Sequence, residues 1–248
     1  MITELGTIQI LNLQEILAAI ASELSSLANN VDSKNKVVAL TGGSTPKAFY
    51  KYIAKLEDCP TNWENLTWTT SDERHVPIQD EESNFGNAER GMLDAIGVAD
   101  HKKLPWDTEL NVEDSASKFN DQWKKLYGDS QCFDLCFLGM GDDCHTASLF
   151  PGSPLIESGI KENFASVEVP GKGMRLTITE AGFEKCSKIV ITVTGKGKIN
   201  ALRQVFQEEI NFKSKPVQLL KKYSDKVVWL IDNEAASDLF VSNNSFSI

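Results

Sequence analysis

The sequence predicts an α/β fold: a Rossmann-like, mainly parallel sheet with helices on both faces, built from residues 1–248 as a single domain. Three observations lead there. Short apolar, β-branched runs recur along the chain as KVVALTGG, LTWTTSD, FDLCFLGMG, SKIVITVTG and KVVWLID. Helical patterns fill the intervals, and strands alternating with helices require crossover connections and hence parallel pairing. No repeat, low-complexity tract or Pro/Gly/Ser-rich linker divides the chain, and 248 residues suit one α/β unit.

The first clear element from the amino terminus is a helix. Leu13, Ile16, Leu17, Ile20, Leu24 and Leu27 recur at three- and four-residue steps and line one face, with Asn12 as a suitable cap. The run Val37–Thr41 then reads as a buried strand. Further helical patterns lie around residues 46–57, 83–96, 113–127, 196–209 and 214–222. In sheets of this kind ligands bind beyond the carboxyl ends of the strands. Each chemically loaded motif of this chain follows such an end.

Composition narrows the function. At 41% hydrophobic, 24% charged and 8% aromatic the chain is an ordinary globular one. A net charge of −10 argues against nucleic acid and anionic membranes, which need clustered Lys and Arg. It leaves room for an anionic small molecule gripped by a few cations and backbone N–H groups in one cleft. The segment MITELGTIQILNLQEIL has no basic region followed by an apolar run, and no stretch approaches about 18 apolar residues, so neither a signal peptide nor a membrane span is expected. Cys59, Cys132, Cys136, Cys144 and Cys186 form no C-x-x-C pair, which fits reduced thiols and a cytoplasmic location. The three histidines lack ligand-like spacing, so no metal is expected.

Four motifs carry the chemistry. In LTGGSTPKAFY, a strand leads into Gly42, Gly43, Ser44 and Thr45, and Pro46 is expected to open a helix. Glycines permit close backbone approach, and a helix start offers unpaired N–H groups to an anion. A phosphate cradle and a plain capped strand–turn–helix use the same residue types. In TTSDERHVPIQDEESNFGNAERGML, Asp72, Glu73, Arg74 and His75 crowd a strand end, and Ser83 and Asn84 open a helix. Arg74 offers a planar fork to a carboxylate, phosphate or oxyanion, although a solvated turn with a local ion pair also suits this composition. In FDLCFLGMGDDCHTASLFPGSP, a glycine-rich strand end carries Asp142, Asp143, Cys144 and His145, before a helix-like ASLF. Histidine's unperturbed pKa, about 6.5, suits proton transfer near neutrality, and a nearby carboxylate orients the ring. A helix-start histidine with capping aspartates is the plain alternative. In ITVTGKGKINALRQVF, Lys196 and Lys198 begin a helix, where cations oppose the dipole by about 0.3–1 kcal/mol unless solvent or an anion offsets it.

Together, LTGGSTP, SDERHVP with its downstream SN, G-M-G-x-D-x-H-T-A-S-L-F-P and the late G-x-x-K resemble the 6-phosphogluconolactonase family over roughly residues 36–200. Three of the four also recur in related sugar-phosphate enzymes such as glucosamine-6-phosphate deaminases; H-T-A-S-L-F-P is the specific one. The resemblance implies hydrolysis of 6-phospho-glucono-δ-lactone without cofactor; the chain is expected to act as a monomer or homodimer. It implies His145 as general base supported by Asp143, and Arg74 on the substrate or the developing charge. Gly42, Gly43, Ser44, Thr45 and Lys198 would hold phosphate, Arg175 in MRLTIT would lie near it, and Asp72 and Asn84 would line the site. Rival readings are an isomerase or deaminase with Asp72 as base, and a non-catalytic sugar-phosphate sensor. One departure stands out: the family's glycine between aspartate and histidine is Cys144 here. At positive φ a cysteine costs about 1 kcal/mol or more and would tilt His145. A cysteine nucleophile beside a histidine is a further alternative.

Overall fold

The computed structural model describes residues 1–30, 36–56 and 62–239. Along the chain run β1 (Ile2–Thr3), β2 (Gly6–Leu11), α1 (Leu13–Ala28), β3 (Lys36–Leu40), α2 (Ser44–Ile53), β4 (Leu66–Thr70), β5 (Asp72–Arg74), α3 (Asn84–Ala88), α4 (Val112–Tyr127), β6 (Leu135–Gly139), β7 (Phe164–Val169), β8 (Gly173–Ile178), α5 (Glu180–Glu184), β9 (Ile189–Val193), α6 (Ile199–Gln207) and β10 (Val227–Asp232). Seven strands form one sheet in the order β1-β2-β10-β9-β6-β3-β4. Every pairing in it is parallel except β1 with β2.

The apolar runs are strands because both their faces are covered. Val37 and Ala39 of β3 join Phe119, Trp123 and Leu202 on one face, whereas Val38 and Leu40 join Ile16, Ile20, Phe49 and Tyr50 on the other. β6 divides in the same way, Cys136 and Leu138 against Leu135 and Phe137. Thus α1, α2 and α3 pack on one face of the sheet, and α4 and α6 on the other. Asn12 caps α1 as expected, its side chain accepting from Glu15 N–H while the Glu15 carboxylate accepts from Asn12 N–H.

Several elements differ from the sequence reading. β1 and β2 precede α1, and an antiparallel sheet of order β5-β8-β7 packs on the α4 side. α2 begins at Ser44, two residues before Pro46, so the proline sits in the first turn, where its missing N–H breaks no helical bond. The pattern around 83–96 is the short α3 followed by a π-helical turn over Glu89–Leu93, and that around 214–222 is a run of 3-10 turns over Pro216–Lys226. The pattern over 46–57 stops at Ile53, its last residue Glu57 lying outside the described residues, as does Cys59. Among the described residues, no helix is long and apolar enough to cross a membrane.

Trp106 welds the two sheets. Its ring stacks on Phe119 at 4.0 Å, meets Phe164 of β7 edge-on at 5.5 Å, and its indole N–H donates to Thr70 O at the end of β4. Trp106→Ala should lower unfolding free energy by about 3–5 kcal/mol in a denaturant titration, the usual range for a buried aromatic; a loss below about 1 kcal/mol would show that the cluster collapses around the gap.

Candidate active site

The carboxyl ends of β3, β4, β6 and β9 bring the four motifs to one rim. At the first, a Cβ on Gly42 would overlap the Asn84 amide, so only glycine lets this turn pack on α3. Gly43 precedes α2 at φ 113°, and no side chain caps the helix, leaving its first N–H groups for another acceptor. Ser44 is exposed, and the Thr45 hydroxyl lies 2.6 Å from that of Thr194, just past β9.

The second motif divides into framework and surface. Asp72 is 6% exposed and accepts a 2.7 Å hydrogen bond from the Ser148 hydroxyl, while Asn84 donates its side-chain amide to Asp72 O. Both brace the rim from below. Glu73, 2% exposed, accepts from the backbone N–H groups of Arg74, Asn84 and Phe85 and from the Ser83 hydroxyl. Burial pushes its pKa up to about 7 against the downward pull of those N–H groups, with the Asp72 charge adding a smaller push. Arg74 remains half-buried and donates through Nη1 to Glu82 O at 2.6 Å. Its register partner across β5 and β8 is Arg175. Burial, then the neighbouring Arg74 charge, lowers the Arg175 pKa. Like charges directly opposite on a sheet repel unless something anionic lies between them.

In the third motif the Asp143 carboxylate accepts from the His145 ring at Nδ1, 2.5 Å away, and from His145 N–H. Burial raises the Asp143 pKa, but the hydrogen bond and charge of His145 outweigh this and leave it below the ordinary value. A carboxylate only accepts, so Nδ1 carries a proton, and in the neutral form of the ring the lone pair falls on Nε2. Phe150 stacks on the ring with centroids 4.0 Å apart. A Cβ on Gly141 would overlap the imidazole and the Asp143 carboxylate, so this glycine is the floor on which the pair rests.

No helix follows His145. Thr146 to Leu149 form a tight turn closed by a bridge between those two residues, with Ala147 at φ 47°, so ASLF is not helical and the helix-start explanation of the histidine is wrong. Cys144 adopts φ 65°, the left-handed conformation that a glycine would occupy without strain. Its thiol is buried against Ala201 O and Gln204 of α6, and burial pushes its pKa up to about 11. A buried protonated thiol is a poor nucleophile, which removes the cysteine mechanism. The imidazole is bonded to Asp143 with Cys144 in this conformation.

The motifs close into a ring: Gly42 against Asn84, Asp72 to Ser148, Asp142 to Lys198 at 2.5 Å, and Thr194 to Thr45. His145 therefore shares a rim with Ser44 and Lys198. Two clefts of 590 and 720 Å³ lie elsewhere, one at the amino-terminal end of β3 beside Lys36 and the other against α5, so concavity alone does not find these residues. Among the described residues, no group of three His, Cys, Asp or Glu side chains could hold a metal ion.

Residues 12–229 match the family of glucosamine-6-phosphate isomerases/6-phosphogluconolactonase. The chain belongs to this family. It is 30% identical over 207 residues to the 6-phosphogluconolactonase of Synechocystis sp., covering 82% of this chain and 84% of that one. The 6-phosphogluconolactonase of Rattus norvegicus is 28% identical, covering 92% and 91% of the two chains. Among solved structures, 6-phosphogluconolactonase from Trypanosoma brucei superposes with a TM-score of 0.78 at 25% identity, covering 94% of this chain and 98% of that chain. A devB protein superposes at 0.86 with 24% identity over 94% and 99%, a likeness of fold.

In this isomerase/lactonase-family chain, sequence reasoning left Glu73 without a role and passed over Gly141, Ser148 and Phe150. Gly141 lies in the G-M-G run, and Phe150 stacks on His145 only five residues away; Ser148 acts through Asp72, distant in sequence. Protonation of Glu73 has a direct readout. The amide ¹H resonances of Arg74, Asn84 and Phe85 should titrate together with a midpoint near the pKa of about 7, moving downfield as pH rises and the carboxylate forms. Three flat or unrelated curves would contradict the shared acceptor.

Proposed function

We propose that the protein hydrolyses 6-phospho-D-glucono-1,5-lactone to 6-phospho-D-gluconate in the cytoplasm, a step of the oxidative branch of the pentose phosphate pathway. Family membership and the 6-phosphogluconolactonase names of its relatives support the reaction. The observation that carries the mechanism is the Asp143–His145 pair on the rim shared with Lys198 and the Gly42–Thr45 turn. The unpaired state of the four described cysteines suits a reducing compartment.

His145 Nε2 takes a proton from water as its oxygen attacks the lactone carbonyl. Asp143 holds the ring and stabilises the imidazolium. The tetrahedral oxyanion is met by backbone N–H groups, a contribution of about 3–4 kcal/mol in comparable sites, while Arg74 binds the substrate beside Arg175. Collapse breaks the bond to the ring oxygen, which takes the proton back from His145, and the new carboxylic acid ionises to release one proton. Gly42, Gly43, Ser44 and Thr45 at the start of α2, with Lys198 and Arg175, hold the phosphate far from the reacting carbon and so orient the ring. Asp72 and Asn84 support this arrangement from beneath. An isomerase would need Asp72 to reach a sugar carbon. Its burial and its bond to Ser148 favour the hydrolase over that reading.

The test is proton release, followed in a pH-stat, on adding freshly made lactone and corrected for spontaneous opening. His145→Ala should lower kcat by about 100-fold or more while leaving affinity for the phosphorylated product nearly intact. Turnover near the wild-type rate in that variant would remove His145 as the base. Lys198→Ala should act chiefly on KM, raising it about tenfold or more; a fall in kcat alone would move Lys198 from the phosphate to the reacting end.

A further inference from the structure

A second carboxylate near this rim is buried, fully engaged and unused by the chemistry above. Oε1 of Glu73 accepts from Arg74 N–H at 2.8 Å and Asn84 N–H at 2.6 Å, and Oε2 from Phe85 N–H at 2.7 Å and the Ser83 hydroxyl at 3.3 Å. Residues 83–85 lie at the far end of the loop that Arg74 begins. One carboxylate therefore ties both ends of the 75–82 loop together.

We propose that Glu73 is a positioning residue for Arg74: it closes the neck of the 75–82 loop and so fixes where the Arg74 guanidinium meets the substrate. A plain cap of α3 would engage only the N–H groups of Asn84 and Phe85. The bond to Arg74 N–H lies outside that helix and has no capping purpose. The Arg74 side chain reads the same closure, because Nη1 donates at 2.6 Å to Glu82 O, the residue just before the far clamp. If the neck opened, Glu82 would move relative to Arg74 and the guanidinium would lose its anchor. Precision matters here because Arg175 stands opposite Arg74 in the strand register, and two cations share an anion only when both are held in place. Three of the four neighbours bonded to the Glu73 oxygens are backbone N–H groups that can only donate, so a side-chain amide does not replace the carboxylate: its NH2 group would face one or two of them and forfeit those bonds.

This inference rests on the lactonase reading only for its assay. Glu73→Gln should raise KM for the lactone about tenfold and leave kcat within about threefold of wild type. Arg74→Ala should then cost far less in the Glu73→Gln background than in wild type, because the guanidinium is already displaced. Independent, multiplying losses, or a KM that does not change, would overturn the proposal and reduce Glu73 to a helix cap. Should Glu73→Gln fail to fold, Ser83→Ala removes one clamp contact and carries the same cycle with a smaller KM rise; strict multiplication there would count equally against it. The guanidinium resonances of Arg74 give a reading without substrate: hindered rotation in wild type and free averaging in Glu73→Gln. If wild type fails to open the lactone, the functional reading falls, while these resonances still decide Glu73. Hindered rotation in both proteins would sink the positioning role.

Discussion

Parallel pairing is the constraint on which the rest depends. Because β3, β4, β6 and β9 run the same way, their carboxyl ends lie along one rim, and loops 149 residues apart in sequence become neighbours: Thr45 meets Thr194 hydroxyl to hydroxyl. Covering both sheet faces makes this order rigid, since Val37 and Val38 are buried in opposite cores and a one-residue slip would exchange them. The small β5-β8-β7 sheet adds the second direction. It carries Arg74 and Arg175 on adjacent strands, and Ser148, whose hydroxyl bonds Asp72, fastens the histidine turn to it.

The rim itself is built with strain and charge that the core sustains. Cys144 and Ala147 both take positive φ within four residues of each other, at a cost of about 1–3 kcal/mol each by general experience. The turn they shape presents His145 with one nitrogen bound to Asp143 and the other open. Opposing this strain are the buried bond from Ser148 N–H to Thr177 and the partly buried one from the Thr146 hydroxyl to Gly139 O. The Lys198–Asp142 pair is different in kind. Asp142 is mostly exposed, so the pair contributes little to stability, about 0–1 kcal/mol, and its lysine is readily surrendered to a better anion. Phosphate, with more charge and more acceptor oxygens, is such an anion.

Legibility in the sequence followed whether the signal was local. The five apolar runs became β3, β4, β6, β9 and β10, because strands buried on both sides need continuous hydrophobicity. The α1 cap was visible in Asn12 and its helical stripe. β7 and β8 were not read although Pro170-Gly171 marks their turn, because FASVEV and GMRLTI are interrupted by polar residues and form no continuous apolar run. The turn at His145 was misjudged as helix since ASLF has acceptable helical composition, and only packing reveals that Ala147 adopts φ 47°. Of the site, the residue types at the strand ends were legible; their division of labour was not. Asp72, Glu73 and Arg74 are consecutive, yet two are buried supports and one faces outward, a distinction set by Ser148 and α3 from elsewhere in the chain.

The central claim is that one sugar phosphate spans the rim, with its phosphate at the start of α2 and its reacting carbon at His145. A crystal structure with bound 6-phosphogluconate tests it most directly. Phosphate oxygens are expected within hydrogen-bond distance of the Ser44–Thr45 backbone and Lys198, and the product carboxylate within about 3.2 Å of His145 Nε2. A product molecule bound with its carboxylate remote from that nitrogen, or seated in the cleft beside Lys36, would contradict it.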